Sequence, residues 1–186
     1  MKNRLCLGEL CLLLPLAAVF AQTPEETTAW EAQRAQVQAE ARVRAERLAR
    51  ERDARRADPM AWVRTLAPLS AGGWEFRSVA PDGSWAVYTT LHQLKRAGKL
   101  VTIWLRQEYP EAQRTDDFTF LSYVEKVQYD CVNDRLKPLL VIYYAGNSLS
   151  GAQQSQANDP KQVDWTPVVP GTQSETLFHW ACAPAG

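Results

Sequence analysis

Histidine and cysteine are scarce in this chain: its 186 residues include two histidines and four cysteines. His92 and His179 lie far apart, and no C-x-x-C spacing occurs, so neither a zinc cluster nor a thiol redox motif is present. No serine-centred nucleophile elbow, zinc-protease helix motif or phosphate loop appears either. No catalytic residue, metal ligand or cofactor is therefore assigned. Neither sign of charge is in excess, with 21 Lys and Arg against 21 Asp and Glu. That balance removes the easiest argument for a nucleic-acid partner, which requires a basic surface, and none is expected.

Long apolar runs are also lacking. The longest, Leu10 to Phe20, falls short of the roughly 20 residues that cross a bilayer, and Pro15 interrupts it. With Lys2 and Arg4 before it and Val19-Phe20-Ala21 after it, the run reads as a secretory signal over residues 1–21, with the mature chain starting at Gln22. Cys6 and Cys11 do not follow the apolar run, as a lipid-modified cysteine would. The expected product is exported, to the periplasm or the bacterial cell surface, without a lipid anchor. Export to an oxidising compartment leaves Cys131 and Cys182 as the only cysteines of the mature chain, and they read as a disulfide.

Residues 22–58 are rich in Ala, Arg, Glu and Gln and contain no Gly. Strong helix formers after Thr23-Pro24 predict one long helix to about Asp58. Glu25, Glu26 and Glu31 near its start and Arg50, Arg52, Arg55 and Arg56 near its end complement the helix dipole. The apolar stripe through Trp30, Val37, Ala41 and Leu48 is thin and broken by Arg34 and Arg44, which disfavours a sustained coiled coil. This charged arm reads as a solvated spacer, with docking on a partner or contact with a membrane surface as the sharper alternatives. Asp58-Pro59 ends it, and residues 59–73 read as a linker in which Met60 to Leu66 forms a further helical turn.

From residue 74 to 186 the punctuation is that of a sheet. Trp74–Ala80 and Ser84–Thr90 flank Pro81-Asp82-Gly83 as a hairpin. Lys99–Tyr109 and Phe118–Cys131 alternate as strands with one buried face, predicting an antiparallel sheet covered on one side. In the second of these Tyr123, Val127, Tyr129 and Cys131 share the inner face, Lys126, Gln128 and Asp130 the outer, and Glu125 violates the pattern as if near a rim. Asp134–Ala145 is a further strand whose Pro138 marks an edge or bulge. Gly151–Lys161 reads as a polar loop, followed by a short strand around Gln162–Trp165. Thr172-x-x-Glu175 has the capping-box form and opens a final helix with Leu177, Trp180 and Ala181 on its apolar face.

Trp85-x-x-Tyr88, Val101-x-x-Trp104, Tyr129-Asp130-Cys131, Arg135, Tyr143-Tyr144, Trp165, Pro170-Gly171-Thr172, Glu175 and Cys182 follow one another in an order that resembles the bacterial surface-adhesin protein E family over about residues 74–182. The resemblance implies an α+β fold: an antiparallel sheet of about six strands with a C-terminal helix packed on it through a disulfide, here preceded by the long helical arm. It also implies surface display and attachment to host matrix or plasma proteins such as vitronectin, laminin or plasminogen.

Three classes of function follow. The leading one is an exported, non-enzymatic binding protein that contacts host matrix or other envelope proteins. The alternative is a periplasmic structural protein that reaches a membrane or a second subunit through the arm. An enzyme ranks last, for want of a nucleophile, base and orienter in one constellation. Lys95, Arg96 and Lys99 form the compact basic cluster of the domain and are the candidate contact for an acidic partner. An exposed strand edge would permit a homodimer. The six tryptophans from Trp62 onward read mainly as packing, with a carbohydrate platform as the competing use. Asp116-Asp117 reads as a solvated loop.

Overall fold

A computed structural model describes residues 24–66 and 73–184, without the side chains of residues 24–26 and Leu91. The expected signal peptide, residues 1–21, lies outside them. The described residues divide into two units, one up to Arg47 and one from Leu48 onward.

The Gly-free stretch forms one helix, α1 (Pro24–Ala57). Its portion before Arg47 is wet, as the thin stripe predicts: Trp30, Val37 and Val43 are exposed, Arg34 stacks on Trp30 at 4.8 Å, and Gln36 donates to Glu40 at 3.0 Å. No described helix is long and apolar enough to cross a membrane.

In the second unit, β1 (Glu75–Val79), β2 (Ala86–Thr89), β3 (Lys95–Ala97), β4 (Leu100–Arg114), β5 (Thr119–Asp130), β6 (Arg135–Tyr144), β7 (Gln153–Ala157) and β8 (Thr166–Pro167) make one sheet. Its order is β1-β2-β4-β5-β6-β7, with β3 also on β4 and β8 also on β6. All pairs are antiparallel. β2 faces Leu105–Glu108 and β3 faces Leu100–Thr102, so the two share one edge of β4, and β7 and β8 share the outer edge of β6 in the same way. The sheet is thus six strands wide, built from hairpins that need no crossover.

The β1–β2 turn falls at Pro81-Asp82-Gly83, where Gly83 has φ 69. Asp82 accepts from the Ser84 amide at 3.0 Å. A side chain at Gly83 would meet Arg55 Cβ at 3.0 Å, so the glycine serves both the turn and the close passage of α1's last turns. Pro138, which has no amide hydrogen, sits beside a register shift between β5 and β6, at the gap between β7 and β8. Several boundaries differ from expectation, and β4 runs on to Arg114, past its expected end at Tyr109. The stretch read as a polar loop contains β7, whose Gln-Gln-Ser-Gln-Ala sequence has no apolar alternation because it forms an exposed edge. The last short strand falls at Thr166–Pro167 and not at Gln162–Trp165.

One face of the sheet carries α3 (Gln173–Cys182). Leu177, Phe178 and Ala181 of α3 pack on Val87, Ile103, Leu105, Val127 and Tyr129. Trp180, expected on the same face, packs partly buried against this cluster, and Phe178 adds a further buried contact. Burying side chains of this size stabilises the fold by about 1.5–3 kcal/mol each.

The opposite face is covered too, contrary to the one-sided expectation. α2 (Met60–Val63) sets Val63, wholly buried, against Ala86 and Tyr88, with Trp62 and Phe76 packed around them. Val63, within the stretch read as a linker, is therefore part of the core. Beside it Arg106 and Glu108 form a buried ion pair at 2.5 Å. Glu108 also accepts from Asn147 Nδ2 at 2.9 Å and from the Ser148 amide at 3.0 Å.

Candidate binding surfaces on the sheet and its last helix

The final helix is held at both ends. At its start Thr172 Oγ1 accepts from the Glu175 amide at 3.4 Å, while Glu175 Oε2 accepts from the Gly171 amide at 2.8 Å. The capping box forms with its return bond shifted one residue towards the turn. At its end Cys182 is bonded to Cys131 across a Cα separation of 5.6 Å. Arg77 stacks on Trp180 at 4.3 Å.

Asp130, next to Cys131, is buried although its strand position predicts the outer face. Its carboxylate accepts from Asn133 Nδ2 at 2.8 Å and Arg135 Nη2 at 3.0 Å, and Lys99 Nζ lies 3.3 Å away. The Asn133 and Arg135 hydrogen bonds lead in holding it well below the usual carboxylate range. The Tyr129-Asp130-Cys131 triplet thus places, in turn, a core ring, a buried acid that locks the β5–β6 turn, and the staple to α3.

The basic cluster divides between surface and scaffold. Lys95, Arg96 and Lys99 are all exposed, but Arg96 Nη2 donates to Ala183 O at 2.7 Å and Lys99 pairs with Asp130. The tryptophans also engage cations: Arg135 and Lys137 approach the Trp165 ring at 4.8 Å and 4.6 Å. His179 is on the surface, 3.7 Å from Glu175, and Asp117 accepts from Gln154 at 3.1 Å.

A cavity of about 290 Å³ lies between the last turns of α1 and the sheet, lined by Arg52, Arg55, Arg56, Asp82 and Glu111 among others. Glu111 accepts from Arg52 Nη2 at 3.0 Å and also from Arg55. The hydrogen bond from Arg52 is the main cause that lowers its carboxyl below the ordinary value. Its charges are thus largely matched from within.

A second, smaller cavity of about 80 Å³ lies between the sheet and the first turn of α3, and Glu125 reaches into it. Glu125 is at mid-strand, opposite Leu105 of β4 and Val141 of β6. It is therefore under the helix and not at a rim, as its break in the alternation suggested. Burial pushes its carboxyl up to about 7. Tyr123, Tyr129 and Gln107 line the same space with Gln173 and Ser174 of α3. Tyr109, Phe120, Tyr123 and Tyr143 stack nearby, with ring centroids 4.7–6.2 Å apart. Sequence reading missed this site; its one signal is an acid at an inward-facing position. Among the described residues no group of three His, Cys, Asp or Glu side chains is placed to hold a metal ion.

A profile of the family described as Surface-adhesin protein E matches residues 75–183, from β1 to the residue after Cys182. Among solved structures, crystal form II of Haemophilus influenzae protein E is matched with 11% identity and a TM-score of 0.44, over 60% of this chain and 87% of that one. Its selenomethionine form is matched with 11% identity and a TM-score of 0.43, over 60% and 86%. No curated protein sequence matches the chain.

Proposed function

As the chain belongs to the surface-adhesin protein E family, we propose that it is an exported, non-enzymatic binding protein that contacts proteins of the host matrix or plasma, or of the cell envelope. The observation that carries this reading is the extent of the family match, which takes in the sheet, the cap of α3 and both cysteines. In this reading the protein is carried to the cell surface without a lipid anchor. The exposed turn of Lys95, Arg96 and Lys99 supplies a contact for an acidic partner, with Lys95 the residue least engaged in scaffold.

Antibody labelling of intact cells, paired with binding of the oxidised protein to immobilised matrix and plasma proteins at several salt concentrations, tests it. Surface labelling with saturable binding, weakened by Lys95→Glu, is the expected result. A protein detected only after the outer membrane is opened, and retained by no host protein, overturns host attachment and leaves the periplasmic structural role. A form lacking residues 22–47 keeps the Arg52 and Arg55 contacts to Glu111 and separates the contribution of the arm from that of the domain.

A further inference from the structure

The Glu125 cavity holds an acid for which the described lining residues supply no counter-charge. Gln107 is engaged at both ends: its Oε1 accepts from Tyr123 Oη at 2.8 Å and from Gln173 Nε2 at 3.5 Å, and its Nε2 donates to Tyr109 Oη at 2.7 Å. The Tyr123 hydroxyl proton is likewise used. The titratable groups that feel Glu125 are Tyr109 from β4, Tyr123 and Tyr129 from β5 and Tyr143 from β6, each shifted upward in part by its negative charge. From α3 the cavity receives the neutral side chains of Gln173, Ser174 and Leu177. Among the described residues no lysine, arginine or histidine lines it.

Glu125 is half-buried, and a carboxylate partly withdrawn from water with no cation beside it is disfavoured in its charged form, so a chain that only needed to fill this space would do so better with Leu or Gln. The space is also larger than one water requires, since a single water occupies roughly 10–15 Å³ on the same measure. Tyrosine rings in the wall add attraction for a cation. A divalent metal would need several oxygen ligands, and the cavity offers one carboxylate. We propose that the cavity under α3 is a binding site for a primary ammonium group on an unbranched stem, with Glu125 as its counter-ion. Such a group is presented by a small alkylamine or by a lysine side chain. The site is independent of whether the protein attaches to a host.

The test is a carbon-detected NMR titration of the Glu125 carboxyl in the oxidised protein, without addition and with n-butylamine, N-acetyl-lysine amide or tetramethylammonium at equal ionic strength. The expected result is a fall in the Glu125 midpoint by at least one pH unit, a tenfold change in proton affinity, with a primary amine and not with tetramethylammonium. A shift with butylamine alone assigns the site to free amines, and a shift with the lysine amide as well assigns it to side chains of a partner. Equal midpoints in all solutions, or equal shifts with all three cations, overturn the proposal. Glu125→Gln, which keeps the shape of the protonated acid, should abolish amine-dependent thermal stabilisation at pH 8; stabilisation that persists in it also overturns the site.

Discussion

Arg96 donates to the carbonyl oxygen of Ala183 at 2.7 Å, one residue beyond Cys182. The C-terminal end of α3 is therefore fastened twice, covalently to the end of β5 and by a charge-assisted bond to β3. A cation at this position satisfies one of the carbonyls that a helix leaves exposed at its end. The same contact converts part of the basic cluster from a free surface into scaffold.

The disulfide closes a sequence separation of 51 residues. In the chain-entropy account that stabilises the fold by about 4 kcal/mol, a large share of an ordinary domain's net stability. Cys131→Ser should lower the melting temperature by roughly 10 °C, and dithiothreitol should bring the parent protein to the same value. A melting curve unchanged by either treatment would contradict this role.

Periodicity made the long strands legible, because Val101, Ile103, Leu105, Val127 and Tyr129 alternate into a core that α3 covers. The last helix was equally plain, since Thr172 and Glu175 form their cap within four residues of chain. What stayed hidden was set by distant partners. Glu108 is polar yet fully buried because Arg106, Asn147 and Ser148 meet it there. Val63 looks like part of a spacer until Ala86 and Tyr88 are placed beside it. Glu125 betrayed itself only as an acid on the wrong face, and the cavity that gives the position meaning requires α3 above it.

The Arg106–Glu108 pair should respond asymmetrically to mutation. Glu108→Ala leaves Arg106 buried without its counter-ion, beside an Nη2 that already has no hydrogen-bond partner among the described residues. It also strips acceptors from Asn147 and Ser148. A loss of about 3–5 kcal/mol is expected. Arg106→Met leaves Glu108 with its Asn147 and Ser148 donors and should cost about 2 kcal/mol. Urea unfolding of both variants measures the difference, and equal losses would show that those donors contribute nothing.

Val63 decides whether the stretch after α1 is spacer or core. Truncating it removes two methyl groups from a site with no exposed surface and opens a void between α2 and the sheet. Val63→Ala should cost about 2 kcal/mol, whereas Ala61→Ser, at an exposed position of the same turn, should stay within about 0.5 kcal/mol. If both variants melt with the parent, α2 does not contribute to the fold.

Glu125 gives the stability a pH dependence of unusual sign for a carboxylate. Burial raises it from 4.5 to about 7, so between those values the folded protein holds a proton that the unfolded chain has released. Stability on its account is full below about 4.5, falls as pH rises to about 7, and is level above that, by at most about 3 kcal/mol. Asp130, held low, acts in the opposite sense at more acidic pH. Glu125→Gln should remove the decline between pH 5 and 7 and make the variant more stable than the parent at pH 8 by up to that amount. Chemical denaturation at pH 5, 6, 7 and 8 resolves it: parallel pH profiles for the two proteins would mean that Glu125 titrates as an ordinary surface acid.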